Sequence, residues 1–446
     1  MLPLTQQPSP SPAVYRARRQ RIAERIGEGA ALILHGGQSR IRSNDTEHRF
    51  RPDSNFHYLS GLSEPGAVLV VRPGRDPEFA LFVRPRDPQA EIWSGRRIGP
   101  EQARAVYGAD AAWPIGELAA QLPRLLDGCA TVHLPFAAYE ALDRQVFAAI
   151  DHLRRRNRYG DVAPERLEDA RALLGEDRII KDAGALGSLR RAVDISARGH
   201  LAALRACRPG LYEHELEALL EYHFRRLGSS GPGYGSIVGT GDNATILHYV
   251  DNCCRLEEGH LVLIDAGAEW DYFTGDITRT FPVSGRFTPA QRDLYAIVLA
   301  ANEAGIREAQ VGSTVDSIYH VCLRTLCQGL RDLGLVDGDL DGILEDEARY
   351  IGYTRHRHSH WLGADVHDAG HYCFHREPRP LQPGMVLTIE PGLYIAADDE
   401  RAPAELRGTG IRIEDDVLIQ AAGPEVLTHL VPKGIDELEA IVGSEA

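Results

Sequence analysis

The sequence predicts a two-domain chain, an α/β unit followed by a second domain assembled from a duplicated half. Three observations lead there. At 446 residues the chain exceeds the roughly 250–300 residues at which a single core stops growing. Its first third alternates short apolar strands with helical stretches. Further on, GHLVLIDAG (259–267) is echoed by GMVLTIEPG (384–392), each an apolar run that ends in a carboxylate and turns at glycine. A constant offset of 125 (384 − 259) aligns Gly259 with Gly384, Asp265 with Glu390 and Gly267 with Gly392.

The elements follow in order. The first dozen residues, rich in Pro, Ser and Gln, read as a loose tail, and Val14 to Ile26 as a basic helix. AALIL (30–34), AVLVV (67–71), FALFV (79–83) and ATVHL (130–134) read as strands, the middle two forming a hairpin around RPGRDPE. This unit reaches about residue 175. A long helix from about 183 to 207, closed by Arg208-Pro209-Gly210, opens the second domain, and another runs to about Leu227. A third starts behind Thr288, which suits the N-cap, with Pro289 in the first helical position and Gln291 completing a capping box.

Composition, 43% apolar and 25% charged, fits a soluble globular protein. A net charge of −15 argues against nucleic-acid binding, which draws on basic residues. The N-terminus lacks an apolar signal segment, and no run of about 18 apolar residues marks a membrane span. Seven cysteines without a C-x-x-C spacing suggest free thiols in a reducing, cytoplasmic compartment, buried as small hydrophobes.

Chemistry concentrates in the second part. Asp265 ends an apolar run, and Asp276 follows eleven residues later in GDITRTF, which also reads as a strand, so a hairpin would bring both carboxylates to one face. Glu390 closes MVLTIEPG. In GIRIEDDVLI, alternation puts Arg412 and Glu414 on one face and Ile411 and Ile413 on the other. Any one such acid is ordinarily a cap, a turn residue or half of an ion pair. Four together are costly, because like charges about 4 Å apart repel by several kcal/mol in a partly buried setting and an unpaired buried carboxylate costs more. The segment TRHRHSHWLGADVHDAG (354–370) adds His356, His358, His360 and His367. Oxygen-rich ligation with an imidazole suits manganese, cobalt or magnesium-like ions better than structural zinc, and four carboxylates match the charge of two divalent ions. Paired metals lower the pKa of a shared water and polarise a carbonyl. Hydrolysis by a bridging hydroxide without a covalent intermediate is therefore expected. No G-x-S-x-G, H-E-x-x-H, Walker loop or G-x-G-x-x-G competes.

With ILHYVDN (246–252), LVLIDAG (261–267), GDITRTFPV (275–283), SHWLGADVHD (359–368), GMVLTIEPGLYI (384–395) and GIRIEDD (410–416), the chain resembles the pita-bread metallopeptidases, and among them the aminopeptidase P family. The resemblance runs from about Ser43 to the C-terminus. SNDTEHRFRPDSNFHYLSGL (43–62) and AEIWSGRR (90–97) extend it over an N-terminal domain that short methionine aminopeptidases lack.

The resemblance implies a creatinase/ribonuclease-H-like α/β domain over 1–178, serving oligomerisation and the rim of the site, and an α+β pita-bread catalytic domain over 179–446. It implies that Asp265, Asp276, His360, Glu390 and Glu414 hold two divalent metal ions per subunit, manganese first, with cobalt or zinc as alternatives. Asp276 and Glu414 would bridge both ions, Asp265 would complete one site, and His360 with Glu390 the other. Glu390 is also the implied proton shuttle. His248 and His367 would contact the substrate or the tetrahedral intermediate, and His356 and Arg412 would support the site. Tyr394, Tyr234, Trp93 and Arg376 join the implied substrate-binding set, Arg376 with Arg171 near the entrance. Trp93 would reach a neighbouring subunit, making a homotetramer or homodimer, although a core aromatic is its plainer reading.

The implied activity is release of the N-terminal residue from peptides whose second residue is proline, in an enzyme that needs neither nucleic acid nor membrane. Prolidase, confined to Xaa-Pro dipeptides, and a non-catalytic pita-bread binding module are the alternatives. The segment around Trp93 favours the first reading, and the complete ligand set weighs against the last. One departure stands out: Arg357 replaces the glycine of the family's His-Gly-x-x-His, and His358 beside it is expected at the surface.

Overall fold

A computed structural model describes residues 11–445, so the expected tail lies almost entirely outside the described residues. The chain forms two units, the first ending at Asp177 and the second beginning at Arg178.

In the first unit, helix α1 (Pro12–Ile26) precedes strand β1 (Ala30–His35). Strands β2 (Val68–Val71), β3 (Phe79–Val83), β4 (Ala111–Pro114), β5 (Thr131–Leu134) and β6 (Arg166–Asp169) complete a six-stranded mixed sheet in the order β4-β3-β2-β1-β5-β6. β2 and β3 form the expected antiparallel hairpin, with Val71 opposite Phe79. The central strands read as unbroken apolar runs because both faces are covered. Leu32, Leu34, Leu69 and Val71 face one core, whereas Ala31, Ile33, Val68 and Val70 face another.

In the second unit, helices α2 (Ala183–Ala206) and α3 (Glu213–Arg226) lie before the first sheet, and α4 (Pro289–Glu308) and α5 (Val315–Asp332) after it. α4 starts as its sequence predicts: Thr288 caps it, and the Gln291 side chain bonds back to close a capping box. Strands β7 (Ile237–Thr240), β8 (Leu261–Asp265) and β9 (Thr278–Pro282) form an antiparallel sheet in the order β7-β8-β9. The second half contributes β10 (Val386–Ile389), β11 (Gly392–Ile395), β12 (Thr409–Arg412), β13 (Asp415–Gln420) and β14 (Gly423–Val426), paired β10-β13-β14 and β11-β12.

The echoed segments are thus β8 and β10, each leading its acid to a strand end. Ile389 faces Asp415 in the ladder, so one further step of the register sets Glu390 opposite Glu414. The first half differs from its sequence reading in one respect. Asp276 precedes β9 rather than lying in it, and it is Thr278 that faces Asp265. The link between the aspartates closes tightly: a Cβ on Gly267 would lie 1.6 Å from the Gly275 carbonyl oxygen. Only glycine permits that approach, which folds the two aspartates toward each other.

The two halves are joined at this point. Glu414 N–H donates to the Thr278 carbonyl at 3.1 Å, and Thr280 Oγ1 lies 3.0 Å from the Arg412 carbonyl and 3.2 Å from Arg412 N. Ile411 and Ile413 enter the main core while Arg412 and Glu414 turn to the acids, the alternation expected of this strand.

Candidate metal centre and its cavity

The acids meet at a cavity of about 850 Å³. Tyr234, His248, His356, His367 and Arg412 line it together with Asp265, Asp276, His360, Glu390 and Glu414. One ligand atom from each of Asp276, His360 and Glu414 lies within 4.8 Å of the others. His360 Nε2 is 3.4 Å from Asp276 Oδ2 and 3.5 Å from Glu390 Oε1. Its Nδ1 is 3.0 Å from the Trp361 carbonyl. A carbonyl only accepts, so Nδ1 carries a proton and Nε2 is the nitrogen that faces the acids, from which a metal would displace the second proton in order to ligate.

Several groups hold these side chains in place. Arg412 Nη2 donates to Asp265 Oδ2 at 2.7 Å, its Nε to Thr278 Oγ1 at 3.2 Å and its Nη1 to the Tyr394 hydroxyl at 3.0 Å. Thr278 Oγ1 donates onward to Glu414 Oε2 at 2.7 Å. The Tyr394 hydroxyl is 2.8 Å from His356 Nε2, and His356 Nδ1 is 2.7 Å from the Arg357 carbonyl. His356 therefore donates through Nδ1 and accepts at Nε2. Burial keeps it neutral, its pKa lowered to about 4, with Arg412 adding to the effect.

The donor set fits divalent cations. The Tyr234 hydroxyl lies 2.7 Å from Asp265 Oδ1 and 2.5 Å from Asp276 Oδ1, yet a phenol has one proton for two carboxylates. The remaining contact sets oxygen against oxygen, which is tolerable only with a proton or a cation beside it. Burial pushes Glu390 up to about 7 and Glu414 well above the usual carboxylate range, with neighbouring acids adding to both shifts. Burial also raises Asp276, opposed by His360. For His360, burial disfavours the cation, but Asp276 and Glu390 outweigh it and raise the pKa to about 9. All four shifts have one meaning: with no metal beside them, these groups retain protons that divalent ions would displace.

Some predicted residues are not among those that line the cavity. Tyr394 is fully buried and outside the cavity lining, where its hydroxyl joins His356 to Arg412. Arg376, at φ 72°, turns a hairpin whose Cys373 and Pro378 line the cavity, but it does not line the cavity itself. Trp93 belongs to the first unit, on the short helix Pro88–Ser94, and is 89% exposed, which rules out its core reading. Arg171 is an exposed partner of Asp169 in the same unit. His358 corrects the surface expectation. It is fully buried, its Nε2 is 2.9 Å from Thr354 Oγ1, and its ring packs on Tyr319. Arg357 lies on the cavity rim, bonded to Asp316 at 3.0 Å and set over the Tyr319 ring. The cysteines are all free, but Cys253, Cys254 and Cys373 are exposed, against the expectation of burial.

Sequence reasoning also missed residues that act on the site. Thr278 joins Arg412 to Glu414. Thr388 Oγ1 accepts from His360 N at 3.1 Å. Asp416 Oδ2 accepts from Asp276 N at 3.0 Å while its Oδ1 has no partner. Asn302 Nδ2 reaches the carbonyls of Ile389 and Ile413 at 2.9 and 3.2 Å, one residue before each glutamate. The run Glu414-Asp415-Asp416 offered a signal. The others did not, because a threonine or asparagine declares no such role before the fold is known.

Fold and site together are those of a metal-dependent hydrolase, and the chain belongs to metallopeptidase family M24, which residues 187–421 match. Residues 15–133 match the aminopeptidase P N-terminal domain. The chain is 42% identical to the Xaa-Pro aminopeptidase of Escherichia coli over 96% of its own length and 97% of the relative's. It superposes on the Pseudomonas aeruginosa aminopeptidase PepP with a TM-score of 0.95, at 42% identity over 98% of each chain. Zinc-substituted E. coli aminopeptidase P in complex with product gives a TM-score of 0.94 at 42% identity, over 97% of this chain and 98% of that one. Among the described residues no helix is long and apolar enough to cross a membrane.

Proposed function

We propose that this chain is an Xaa-Pro aminopeptidase that works with two divalent cations, manganese first among them. The observation that carries this reading is the convergence of Asp265, Asp276, His360, Glu390 and Glu414 at one cavity, in a chain similar over nearly its full length to Xaa-Pro aminopeptidases. These five residues would hold the ions, Asp276, His360 and Glu414 being the three whose ligand atoms cluster most closely. When bound, the ions supply a water of lowered pKa and a Lewis acid for the scissile carbonyl.

The chain's own residues do the rest. Glu390, whose carboxylate reaches the cavity beside His360, takes a proton from the attacking water and returns it to the departing proline nitrogen. His367 and His248 face the cavity and donate to the oxyanion that develops on the carbonyl, where one such donor is worth about 3 kcal/mol. Burial lowers the His367 pKa, so it donates as a neutral ring. Arg412 orients Asp265, and Tyr234 holds Asp265 against Asp276.

Assembly belongs to the same reading. Ile92 and Trp93, 78% and 89% exposed on one short helix, support association of the N-terminal units in a homotetramer or homodimer, and Trp93→Glu should shift the mass seen by light scattering toward monomer. The seven free cysteines support a cytoplasmic home.

The deciding experiment compares Gly-Pro with Gly-Pro-Pro, before and after chelation and manganese repletion. Manganese-dependent release of glycine from the tripeptide is expected. Cleavage of the dipeptide alone would make the enzyme a prolidase, and full activity after exhaustive metal removal would end the reading.

A further inference from the structure

His248 faces the cavity from an exposed turn, and among the described residues nothing hydrogen-bonds its ring. Its position therefore depends on the loop that carries it, which leaves β7 at Thr240 and returns toward Leu256. That loop converges on one carboxylate. Glu213, in the first turn of α3, is fully buried. Its Oε1 accepts from Thr240 N at 2.8 Å and Asn243 Nδ2 at 3.0 Å. Its Oε2 accepts from the Tyr249 hydroxyl at 2.8 Å and Cys254 N at 2.7 Å. Its own N–H donates to the Cys254 carbonyl at 2.9 Å. These partners lie at both ends of the loop, near its start, and directly beside His248.

A buried carboxylate with no cationic partner is costly unless donors and a helix N-terminus answer its charge. Glu213 has both, and every side-chain donor it uses comes from this one loop. We propose that Glu213 is the positioning residue for His248: its carboxylate sets the loop so that the imidazole meets the peptide carbonyl. This rests on His248 facing the peptide, as read above.

The test is a double-mutant cycle in the manganese-loaded, full-length enzyme. Glu213→Gln keeps one acceptor oxygen and replaces the other by an amide that cannot accept from Cys254 N or Tyr249. In the unsubstituted background it should lower kcat/KM about tenfold, with metal content unchanged. In a His248→Ala background it should cost nothing further. Amide exchange over 246–254 should quicken in Glu213→Gln while β8 and β10 keep their protection. Loss of the same factor in both backgrounds would overturn the proposal, as would unchanged turnover or unchanged exchange. Should Glu213→Gln fail to fold, Tyr249→Phe removes a single bond to the same carboxylate and enters the same cycle, with a loss of about threefold expected. Absence of Xaa-Pro turnover in the unsubstituted enzyme counts against the substrate reading instead, and the exchange rates then decide for or against the anchor.

Discussion

At the scale of single residues, the groups that hold the proposed ligands are as informative as those ligands. Thr278 Oγ1 stands between the Arg412 guanidinium and Glu414, so it fixes the carboxylate of a proposed metal ligand. Thr278→Val conserves shape and removes the hydroxyl. Partners of this kind are worth about 10- to 100-fold in metal affinity, and a manganese titration of the apo-enzyme should show a weakening in that range. An unchanged affinity would mean that Glu414 is held by its strand alone. His367 makes the complementary case. It lies with its ring centroid 4.3 Å from that of His360 yet, among the described residues, is outside the cluster of Asp276, His360 and Glu414. His367→Ala should keep its metal content by elemental analysis and lose about 100-fold in kcat. Unchanged turnover in metal-replete protein would remove it from the chemistry.

At the scale of elements, the strands that bring the proposed ligands to the cavity were legible because each carries its acid at the end of an apolar run and each turns at glycine. Alternation in GIRIEDD placed Arg412 and Glu414 on one side without knowledge of the fold. The α4 start was legible because a capping box is local chemistry. Where reading fell short, the cause was long-range. Asp276 looked like a strand residue, but the close approach of Gly267 and Gly275 ends the ladder at Thr278. His358 looked like surface because a polar sequence around it says nothing of Tyr319 and Thr354 folding over it. Trp93 could have been core or surface, since one aromatic in seven helical residues has no periodicity to decide it. The same glycine approach yields a prediction. Gly267→Ala drives a methyl group into the Gly275 carbonyl, so the two strands must separate and take Asp265 from Asp276. Manganese affinity should fall by more than tenfold, and the folded enzyme should melt lower by several degrees, since overpacking costs about 1–3 kcal/mol. Gly259→Ala makes a fair control: its Cβ meets nothing within 4 Å, so its cost is that of a positive φ alone and its metal affinity should hold.

At the scale of the whole molecule, the metal centre makes stability depend on pH in opposite senses with and without ions. Glu390 has a folded pKa of about 7 against 4.5 for an ordinary glutamate. Between those values the apo native state binds more protons than the unfolded chain, so Glu390 takes stability away as pH rises through that window. His360, raised from 6.5 to about 9, contributes stability that is fully present below 6.5 and is lost as pH climbs through 9. Both groups therefore make the apo-enzyme weaker toward alkaline pH. Divalent ions reverse the balance, because ligation requires these same protons to leave, and each unit of pH removes competition for the site. The difference in Tm between manganese-loaded and chelated protein should accordingly widen from pH 5 to pH 9, by about 5 °C or more. Calorimetric titration of the apo-enzyme at pH 7 in buffers of different ionisation enthalpy should show protons released on manganese binding. A Tm difference independent of pH, or binding without proton release, would show that the carboxylates and His360 already stand bare before the metal arrives, and that something other than cations reconciles their charges.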